Sequence, residues 1–152
     1  MLNAGDKAPG FSLTSDLGDQ VSLKDLLDQT VVLYFFPRAD TPGCTSEANQ
    51  FRDAKKEFEK LKARVAGVSG DSVEDLAKFR DKYKLNFPLL SDTKHQVLEA
   101  YGVWQEKNLY GKKSMGIVRT TYIIDAYGKV SHVFPKVKVD GHIEEVLAAL
   151  KQ

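Results

Sequence analysis

Two apolar runs stand out from the mixed pattern of hydrophobic and polar positions along this chain. Residues 31–36 read VVLYFF, are rich in β-branched and aromatic side chains, and are followed by Pro37. Six residues are short for a helix, so this run predicts a central strand covered on both faces. Residues 63–68 predict a second buried strand of the same kind.

Helical periodicity predicts the longer segments between and after these strands. Apolar residues recur at three- and four-residue spacing from about residue 42 to about residue 61, which predicts one long helix. Ser72 and Asp75 are spaced to cap a further helix, and Ser22 and Asp25 have the spacing of a capping box. A last helix is predicted where four apolar residues share one face: Ile143, Val146, Leu147 and Leu150.

Shorter segments complete the predicted element order. Strands are predicted at residues 11–14, 87–90, 120–124 and 130–134, the last two joined as a hairpin, and a short helix is predicted to end at Gly102. No repeat or flexible linker interrupts the chain, so residues 1–152 are predicted to form a single domain. Strands alternating with helices predict the α/β class, as a thioredoxin-like sandwich with a central mixed β-sheet flanked by helices.

Composition narrows the classes of function. The chain has 22 basic and 21 acidic residues, and this balance argues against a nucleic-acid-binding surface. No apolar run reaches the length of a membrane span, and the first residues lack the apolar core of a secretory signal. We therefore expect a cytoplasmic protein with neither nucleic acid nor membrane as a partner. A single cysteine and three scattered histidines predict no disulfide framework and no metal site.

The one cysteine, Cys44, occupies an informative position. It follows the most buried predicted strand and falls in the first turn of the long helix, with Thr41 as N-cap and Pro42 at the first helical position. Free backbone N–H groups and the helix dipole favour a thiolate there, and only the thiolate is a strong nucleophile. A lone cysteine is more often an inert buried hydrophobe, and placement alone leaves both interpretations open.

The residues around Cys44 resemble a known family. Residues 37–44, PRADTPGC, match the peroxiredoxin pattern P-x-x-x-T-x-x-C, and residues 40–48 resemble the bacterioferritin-comigratory, or Q-type, branch. Residues 111–125, GKKSMGIVRTTYIID, are similar to the second active-site segment of that branch. The resemblance covers nearly the whole chain and implies a peroxidase that reduces hydrogen peroxide and organic hydroperoxides without a metal or bound organic cofactor.

The resemblance also implies roles for the matching residues. Cys44 corresponds to the peroxidatic cysteine, Thr41 to the threonine that holds the peroxide, Pro37 to the proline that shields the thiolate, and Arg119 to the arginine that completes the pocket. Negative charge grows on the departing peroxide oxygen, and donors already in place at that oxygen lower the barrier most. A guanidinium stays protonated, so Arg119 can stabilise both the thiolate and the departing oxygen.

Several neighbouring residues receive weaker assignments. The N–H groups of Gly43 and Cys44 are expected to align the peroxide with the sulfur, which makes Gly43 a substrate-binding residue. Glu47 is interpreted as structural or as a supporting residue behind those that touch the substrate. Trp104 is interpreted as packing, and the strand residues Tyr34 and Phe36 as core, although one of them is allowed to touch the pocket.

The chain departs from its relatives where many carry a resolving cysteine. Five residues after Cys44 stands Asn49, and residues 72–83 contain no cysteine either. The residues leave open whether Asn49 is natural or replaces a cysteine. We predict a one-cysteine cycle with an external reductant: thioredoxin, glutaredoxin or a low-molecular-weight thiol. A disulfide between two chains stays open, and the resemblance favours a monomer.

Three other functions compete with peroxidase activity. A thioredoxin-like disulfide oxidoreductase needs a C-x-x-C pair, and position 47 is Glu. A cysteine hydrolase needs a histidine beside the sulfur, and no histidine lies in a segment expected near Cys44. A peroxide sensor or holdase would use the same oxidation of Cys44 without fast turnover, and it remains the alternative.

Overall fold

The computed structural model describes residues 1–152, which form nine strands and six helices. In chain order they are β1 (Ser12–Ser15), β2 (Gln20–Ser22), α1 (Leu23–Leu26), β3 (Thr30–Phe35), α2 (Pro42–Asp53), α3 (Lys55–Lys60), β4 (Ala63–Ser69), α4 (Val73–Tyr83), β5 (Leu89–Ser91), α5 (Gln96–Ala100), β6 (Trp104–Leu109), β7 (Lys112–Ile117), β8 (Thr120–Ile124), β9 (Val130–Phe134) and α6 (His142–Leu150). None of the helices is both long enough and apolar enough to cross a membrane.

Seven strands form one mixed sheet in the order β2-β1-β5-β4-β3-β8-β9. β3 runs parallel to β4 and antiparallel to β8, and its residues from Val31 to Phe35 are buried. The central strand predicted from the VVLYFF run is therefore confirmed. β3 and β8 are in a register that places Phe35 opposite Thr120, so the start of β8 lies beside the end of β3.

The core lies on both faces of this sheet, and successive residues of β3 serve different faces. Leu33 and Phe35 pack with side chains of α1 and α5 in one hydrophobic cluster. Tyr34 and Phe36 pack with side chains of α2, α3, α4 and α6 in the other. This arrangement confirms the predicted sandwich with a central mixed sheet flanked by helices.

The predicted long helix over residues 42–61 is wrong, because α2 and α3 are separate helices. The break lies at Ala54, with φ −93° and ψ 8°. The Asn86 side-chain amide donates to the carbonyl oxygen of Arg52 (3.2 Å), and Lys55 Nζ donates to the carbonyl oxygen of Asn86 (2.7 Å). A side chain from the distant loop before β5 thus binds a backbone group that a continuous helix uses for its own hydrogen-bond ladder.

The hairpin of β6 and β7 has no counterpart among the elements predicted from the sequence. Its two strands pair from Trp104–Ile117 to Leu109–Lys112, and the connecting Tyr110 and Gly111 have φ of 53° and 79°. Positive φ at both residues is typical of the two-residue turns that join antiparallel strands. Most residues of this hairpin are exposed or half-buried, so no alternation of apolar and polar residues indicates it.

Candidate active site

Cys44 lies in the first turn of α2, just beyond the carboxyl end of β3. The residue is only 1% exposed, and it packs in the same hydrophobic cluster as Ala48 and Phe51. Cys44 therefore points into the body of the protein and not into bulk solvent. In open α/β sheets, ligands bind in the crevice outside the carboxyl ends of the strands, and Cys44 is at that edge.

The sheet topology brings Arg119 to this sulfur across 75 residues of sequence. Arg119 immediately precedes β8, and because β8 is antiparallel to β3, residues before β8 meet residues that follow β3. Arg119 Nη2 lies 3.4 Å from Cys44 Sγ, and Arg119 Nη1 donates to Glu47 Oε1 at 2.7 Å. The two nitrogens of one guanidinium thus bind the sulfur and a carboxylate at once.

Gly43 allows the guanidinium to approach the backbone of α2. A β-carbon at position 43 would lie 3.0 Å from Arg119 Nη2, which is tighter than ordinary van der Waals contact. The predicted substrate-binding residue is therefore also the residue against which Arg119 rests. No sequence pattern indicates this contact, since the two residues are joined only by the fold.

Glu47 is buried behind Arg119. Its Oε1 accepts from the guanidinium, whereas its Oε2 has no hydrogen-bond partner. Burial raises the pKa of Glu47 to about 7, although the positive charge of Arg119 opposes the shift. Burial disfavours the charge on Arg119, but Glu47 and Cys44 together raise its pKa. The guanidinium is therefore the fixed positive charge of the site.

Tyr34 closes the core side of the site. Its ring stacks on Phe51 at a centroid distance of 4.5 Å, and its hydroxyl is buried without a hydrogen-bond partner. Burial raises the pKa of Tyr34 well above its usual value, and the negative charges of Glu47 and Cys44 raise it further. Tyr34 is thus a core residue, as predicted, whose hydroxyl is within electrostatic reach of Cys44.

Thr41 stands at the N-cap position but does not cap the helix through its side chain. Its hydroxyl donates to the carbonyl oxygen of Arg38 at 2.8 Å, and it accepts no N–H group of α2. The predicted side-chain cap is wrong, because the hydroxyl binds the loop that precedes the helix. Thr41 therefore leaves the N–H groups of Gly43 and Cys44 available to a ligand.

The loop between β3 and α2 is tied to two other parts of the chain. Pro37 lies half-buried at its start, and the Ala39 N–H donates to Asp71 Oδ2 at 2.8 Å. Asp40 has φ of 60° and accepts hydrogen bonds from the Tyr83 hydroxyl (2.6 Å) and Lys82 Nζ (2.9 Å). Asp71, Lys82 and Tyr83 thus shape the site from a distance, and no local sequence pattern points to them.

Asn49 occupies the position at which many relatives carry a second cysteine. Its Oδ1 accepts from Arg52 Nη1 at 3.2 Å, and the side chain lines an open polar groove of about 620 Å³ beside α2.

Trp104, interpreted as packing, stacks on His95 at a centroid distance of 4.0 Å. Phe36 packs in the core against Phe79.

No histidine lies within hydrogen-bonding distance of Cys44, whose side-chain partner is Arg119. The buried His142 is held between Thr121 Oγ1 (2.7 Å) and Glu145 Oε1 (2.6 Å). Burial lowers its pKa, with a smaller opposing effect from Glu145. The site therefore lacks the histidine that a cysteine hydrolase needs beside its sulfur.

Residues 4–133 match the AhpC/TSA family. A putative peroxiredoxin bcp from Coxiella burnetii (strain RSA 493 / Nine Mile phase I) is 50% identical over 149 residues, which are 98% of this chain and 99% of that protein. Peroxiredoxin Bcp of Escherichia coli (strain K12) is 48% identical over 151 residues, which are 99% of this chain and 97% of that protein.

Solved structures show the same similarity in three dimensions. The bacterioferritin comigratory protein of Xanthomonas campestris, studied for its alkyl peroxide reduction activity, has a TM-score of 0.89 and 40% identity over 93% of this chain and 90% of that chain. A cysteine-to-serine mutant of Xylella fastidiosa PrxQ has a TM-score of 0.94 and 35% identity over 99% of this chain and 96% of that chain.

Proposed function

The chain belongs to the AhpC/TSA family and to its Bcp, or PrxQ, branch of peroxiredoxins, and from that premise we propose a one-cysteine peroxidase cycle at Cys44. Peroxidase activity comes with membership of this branch. The assignment to Cys44 depends above all on one observation, the 3.4 Å approach of Arg119 Nη2 to its sulfur. Cys44 is also the only cysteine of the chain.

In the first step, the Cys44 thiolate attacks the terminal oxygen of the hydroperoxide. A sulfur–oxygen bond forms, the O–O bond breaks, and its electron pair leaves on hydroxide or alkoxide, which takes up a proton. Cys44 becomes a sulfenic acid. Arg119 stabilises the thiolate and the charge that grows on the departing oxygen, because it is fixed in place before the reaction.

Thr41 and Gly43 are proposed to position the peroxide together with the Cys44 backbone, and Pro37 is proposed to protect the thiolate. The Thr41 hydroxyl and the N–H groups of Gly43 and Cys44 align the O–O bond with the sulfur, and Pro37 shields the thiolate from water. Support comes from their place in the first turn of α2 and the loop before it. Glu47 holds the guanidinium at its other nitrogen and acts only through Arg119.

We propose hydrogen peroxide and organic hydroperoxides as substrates. The Xanthomonas campestris relative was studied for alkyl peroxide reduction, and the burial of Cys44 among apolar side chains is compatible with an alkyl group beside the sulfur. No metal or bound organic cofactor enters the proposed steps.

The second half of the cycle needs an external thiol, because the chain has no second cysteine. A thiol attacks the sulfenic acid, releases water and forms a mixed disulfide, and a second thiol then frees Cys44. Thioredoxin, glutaredoxin or a low-molecular-weight thiol can supply both equivalents. We extend the proposal to a monomeric protein in the cytoplasm, where such reductants are kept reduced.

The test is the second-order rate of reaction between reduced protein and hydrogen peroxide, followed by Trp104 fluorescence and by loss of free thiol. We expect oxidation orders of magnitude faster than that of free cysteine, none in Cys44→Ser and a slower reaction in Arg119→Ala. A wild-type rate equal to that of free cysteine would refute the proposal. Oxidation that is fast but never turns over with any added thiol would instead favour the peroxide sensor or holdase.

A further inference from the structure

Tyr83, the last residue of α4, is bound to the chain on both sides of Cys44. Its hydroxyl donates to Asp40 Oδ1 at 2.6 Å, in the loop that leads into α2. Its carbonyl oxygen accepts from Arg52 Nη1 at 2.6 Å, near the end of α2. The first turn of α2, which carries the sulfur, therefore lies between two points that a single residue of α4 holds.

Asp40 adopts a backbone conformation that its side-chain contacts help to hold. Its φ of 60° lies in the left-handed region, where residues other than glycine are strained. Besides the Tyr83 hydroxyl, Lys82 Nζ binds its carboxylate at 2.9 Å, and both members of that ion pair are exposed. The hydrogen bond from Tyr83 lowers the pKa of Asp40 more than Lys82 does. Thr41 and Pro42 follow directly, so these contacts fix the direction in which the chain enters α2.

The core holds the ring of Tyr83 in place. The ring packs edge-on against Phe79 at a centroid distance of 5.5 Å, and Phe79 packs against Phe36, which directly follows β3. Phe79 and Phe36 are both buried. Tyr83 therefore has a fixed position relative to the sheet, and its hydroxyl transmits that position to the loop before α2.

We propose that Tyr83 is a positioning residue of the peroxidatic site, which holds the Asp40 turn and the start of α2 in the form that reacts with peroxide. The inference rests on the proposed function, because it assumes that Cys44 attacks the peroxide. With the contact in place, the N–H groups at the start of α2 keep one arrangement around the sulfur, and such preorganisation favours the reaction. Cys44 is only 1% exposed, so a reagent bulkier than hydrogen peroxide needs the same segment to move aside. Loss of the contact should therefore slow the first reaction and speed the second.

The test compares two reactions of Cys44 in the reduced full-length protein: oxidation by hydrogen peroxide and alkylation by iodoacetamide. Tyr83→Phe removes only the hydroxyl and keeps the ring against Phe79. We expect its second-order rate with hydrogen peroxide to fall about three- to tenfold, the equivalent of one hydrogen bond, and its rate with iodoacetamide to rise by a similar factor. A change in the thiolate pKa would instead move both rates in the same direction, because both reagents react with the thiolate.

Tyr101→Phe is the matched control. The Tyr101 hydroxyl donates to the carbonyl oxygen of Pro9 at 2.7 Å, and the residue packs on the opposite face of the sheet from Cys44. The variant loses a tyrosine hydrogen bond of similar length, so it separates positioning from a general loss of stability. Urea unfolding measures the stability of both variants. We expect Tyr101→Phe to be destabilised without a change in either rate.

Two variants of Asp40 test the partner of the Tyr83 hydroxyl. Asp40→Gly accepts the left-handed φ but removes the acceptor, and it should change both rates as Tyr83→Phe does. The double variant should show no further change, because the two substitutions remove the same contact. Asp40→Asn keeps an acceptor oxygen and should change both rates less than Asp40→Gly does.

Rates of Tyr83→Phe that equal those of wild type with both reagents would overturn the inference. So would two rates that change in the same direction, or the same pair of changes in Tyr101→Phe. All three outcomes are distinct from failure of the proposed function, in which the wild-type protein itself reacts with hydrogen peroxide no faster than free cysteine does.

Discussion

One guanidinium organises the site at the level of single residues. Arg119 binds Cys44 Sγ with one terminal nitrogen and Glu47 Oε1 with the other, a geometry that the single ammonium of lysine cannot reproduce. Its position also depends on the missing side chain of Gly43, over which the guanidinium lies. We therefore expect the reactivity of Cys44 to depend on the absence of a side chain at Gly43.

We predict that Gly43→Ala slows the oxidation of Cys44 by hydrogen peroxide about tenfold, since one misplaced charge stabiliser costs that much or more. The added methyl group would lie 3.0 Å from Arg119 Nη2 and would push the guanidinium away from the sulfur. Stopped-flow fluorescence measures the rate. Gly10→Ala is the control, because a β-carbon there meets no atom within 4 Å. Equal rates in wild type and Gly43→Ala would contradict the importance of this contact.

We predict that Glu47→Gln changes how stability depends on pH. The folded-state pKa of Glu47 is raised from 4.5 to about 7, so its contribution to stability is present below pH 4.5 and is lost as the pH rises through 7. Relative to wild type, the free energy of unfolding of Glu47→Gln should therefore increase between pH 5 and 8, by on the order of 2 kcal/mol.

Urea unfolding at several pH values measures this difference, with the exposed Glu59→Gln as control. Above pH 7, where Glu47 is ionised, the peroxide reaction of Glu47→Gln should slow, because Arg119 loses a charged partner. A difference in stability that stays constant between pH 5 and 8 would show that folding does not raise the pKa of Glu47.

Much of the candidate site could be anticipated from the sequence. Cys44 stands out by its position after a buried strand, and Arg119 is identified through the family resemblance. The contacts that tune them could not be foreseen, because Arg119 and Cys44 are 75 residues apart and Tyr83 and Asp40 are 43 residues apart. Only the strand order and the packing of α4 determine which of these distant residues meet.

At the level of elements, β3, β4, α4 and α6 follow the predictions because each buries a regular apolar face. Two elements depart from the sequence pattern for physical reasons. The helix over residues 42–61 breaks at Ala54 because a loop side chain binds the backbone there, which apolar periodicity does not reveal. The β6–β7 hairpin carries too few buried residues to produce a pattern.

The attachment of α6 to the sheet gives a pH-dependent prediction. His142 is buried at the start of α6 and binds Thr121 of β8, and burial lowers its pKa below the usual 6.5. Its contribution to stability is therefore complete above pH 6.5 and is lost as the pH falls below that value, where the unfolded chain binds the proton more readily.

We expect wild-type protein to lose stability between about pH 6.5 and 5 more steeply than His142→Gln does. At pH 7.5, His142→Gln should itself be about 1–2 kcal/mol less stable, because the Thr121 hydroxyl loses a buried partner. Denaturant unfolding measures both effects, with His132→Gln as a control outside this contact. Parallel pH profiles for wild type and His142→Gln would rule out the proposed contribution.

At the level of the whole molecule, one mixed sheet gathers the end of β3, the start of α2 and the residue before β8 at a single edge. The family match reaches residue 133, and α6 beyond it packs into the same hydrophobic cluster as Cys44. We infer that residues 1–152 form one domain.

A single sulfur nucleophile per molecule restricts the products of oxidation. One equivalent of peroxide without thiol should add one oxygen atom to the protein, and no disulfide can close within the chain. Intact-mass spectrometry and a non-reducing gel make this measurement. Disulfide-linked dimers as the main product would contradict the one-cysteine cycle.

Asn49→Cys is the matched variant. It should form an internal disulfide, with partial loss of helical circular dichroism, because five residues of helix rise about 7.5 Å and a disulfide needs closer α-carbons. Oxidation that leaves the Asn49→Cys variant without an internal disulfide would show that α2 does not unwind enough for the two sulfurs to meet.

The single tryptophan of the chain gives this enzyme an internal optical probe. Trp104 begins β6, pairs with Ile117 two residues before Arg119, and stacks on His95. A change in the hairpin or in Arg119 alters the surroundings of one indole, and no second indole dilutes the signal. We therefore expect the fluorescence of the native protein to follow the oxidation and the reduction of Cys44 in real time, without an attached dye.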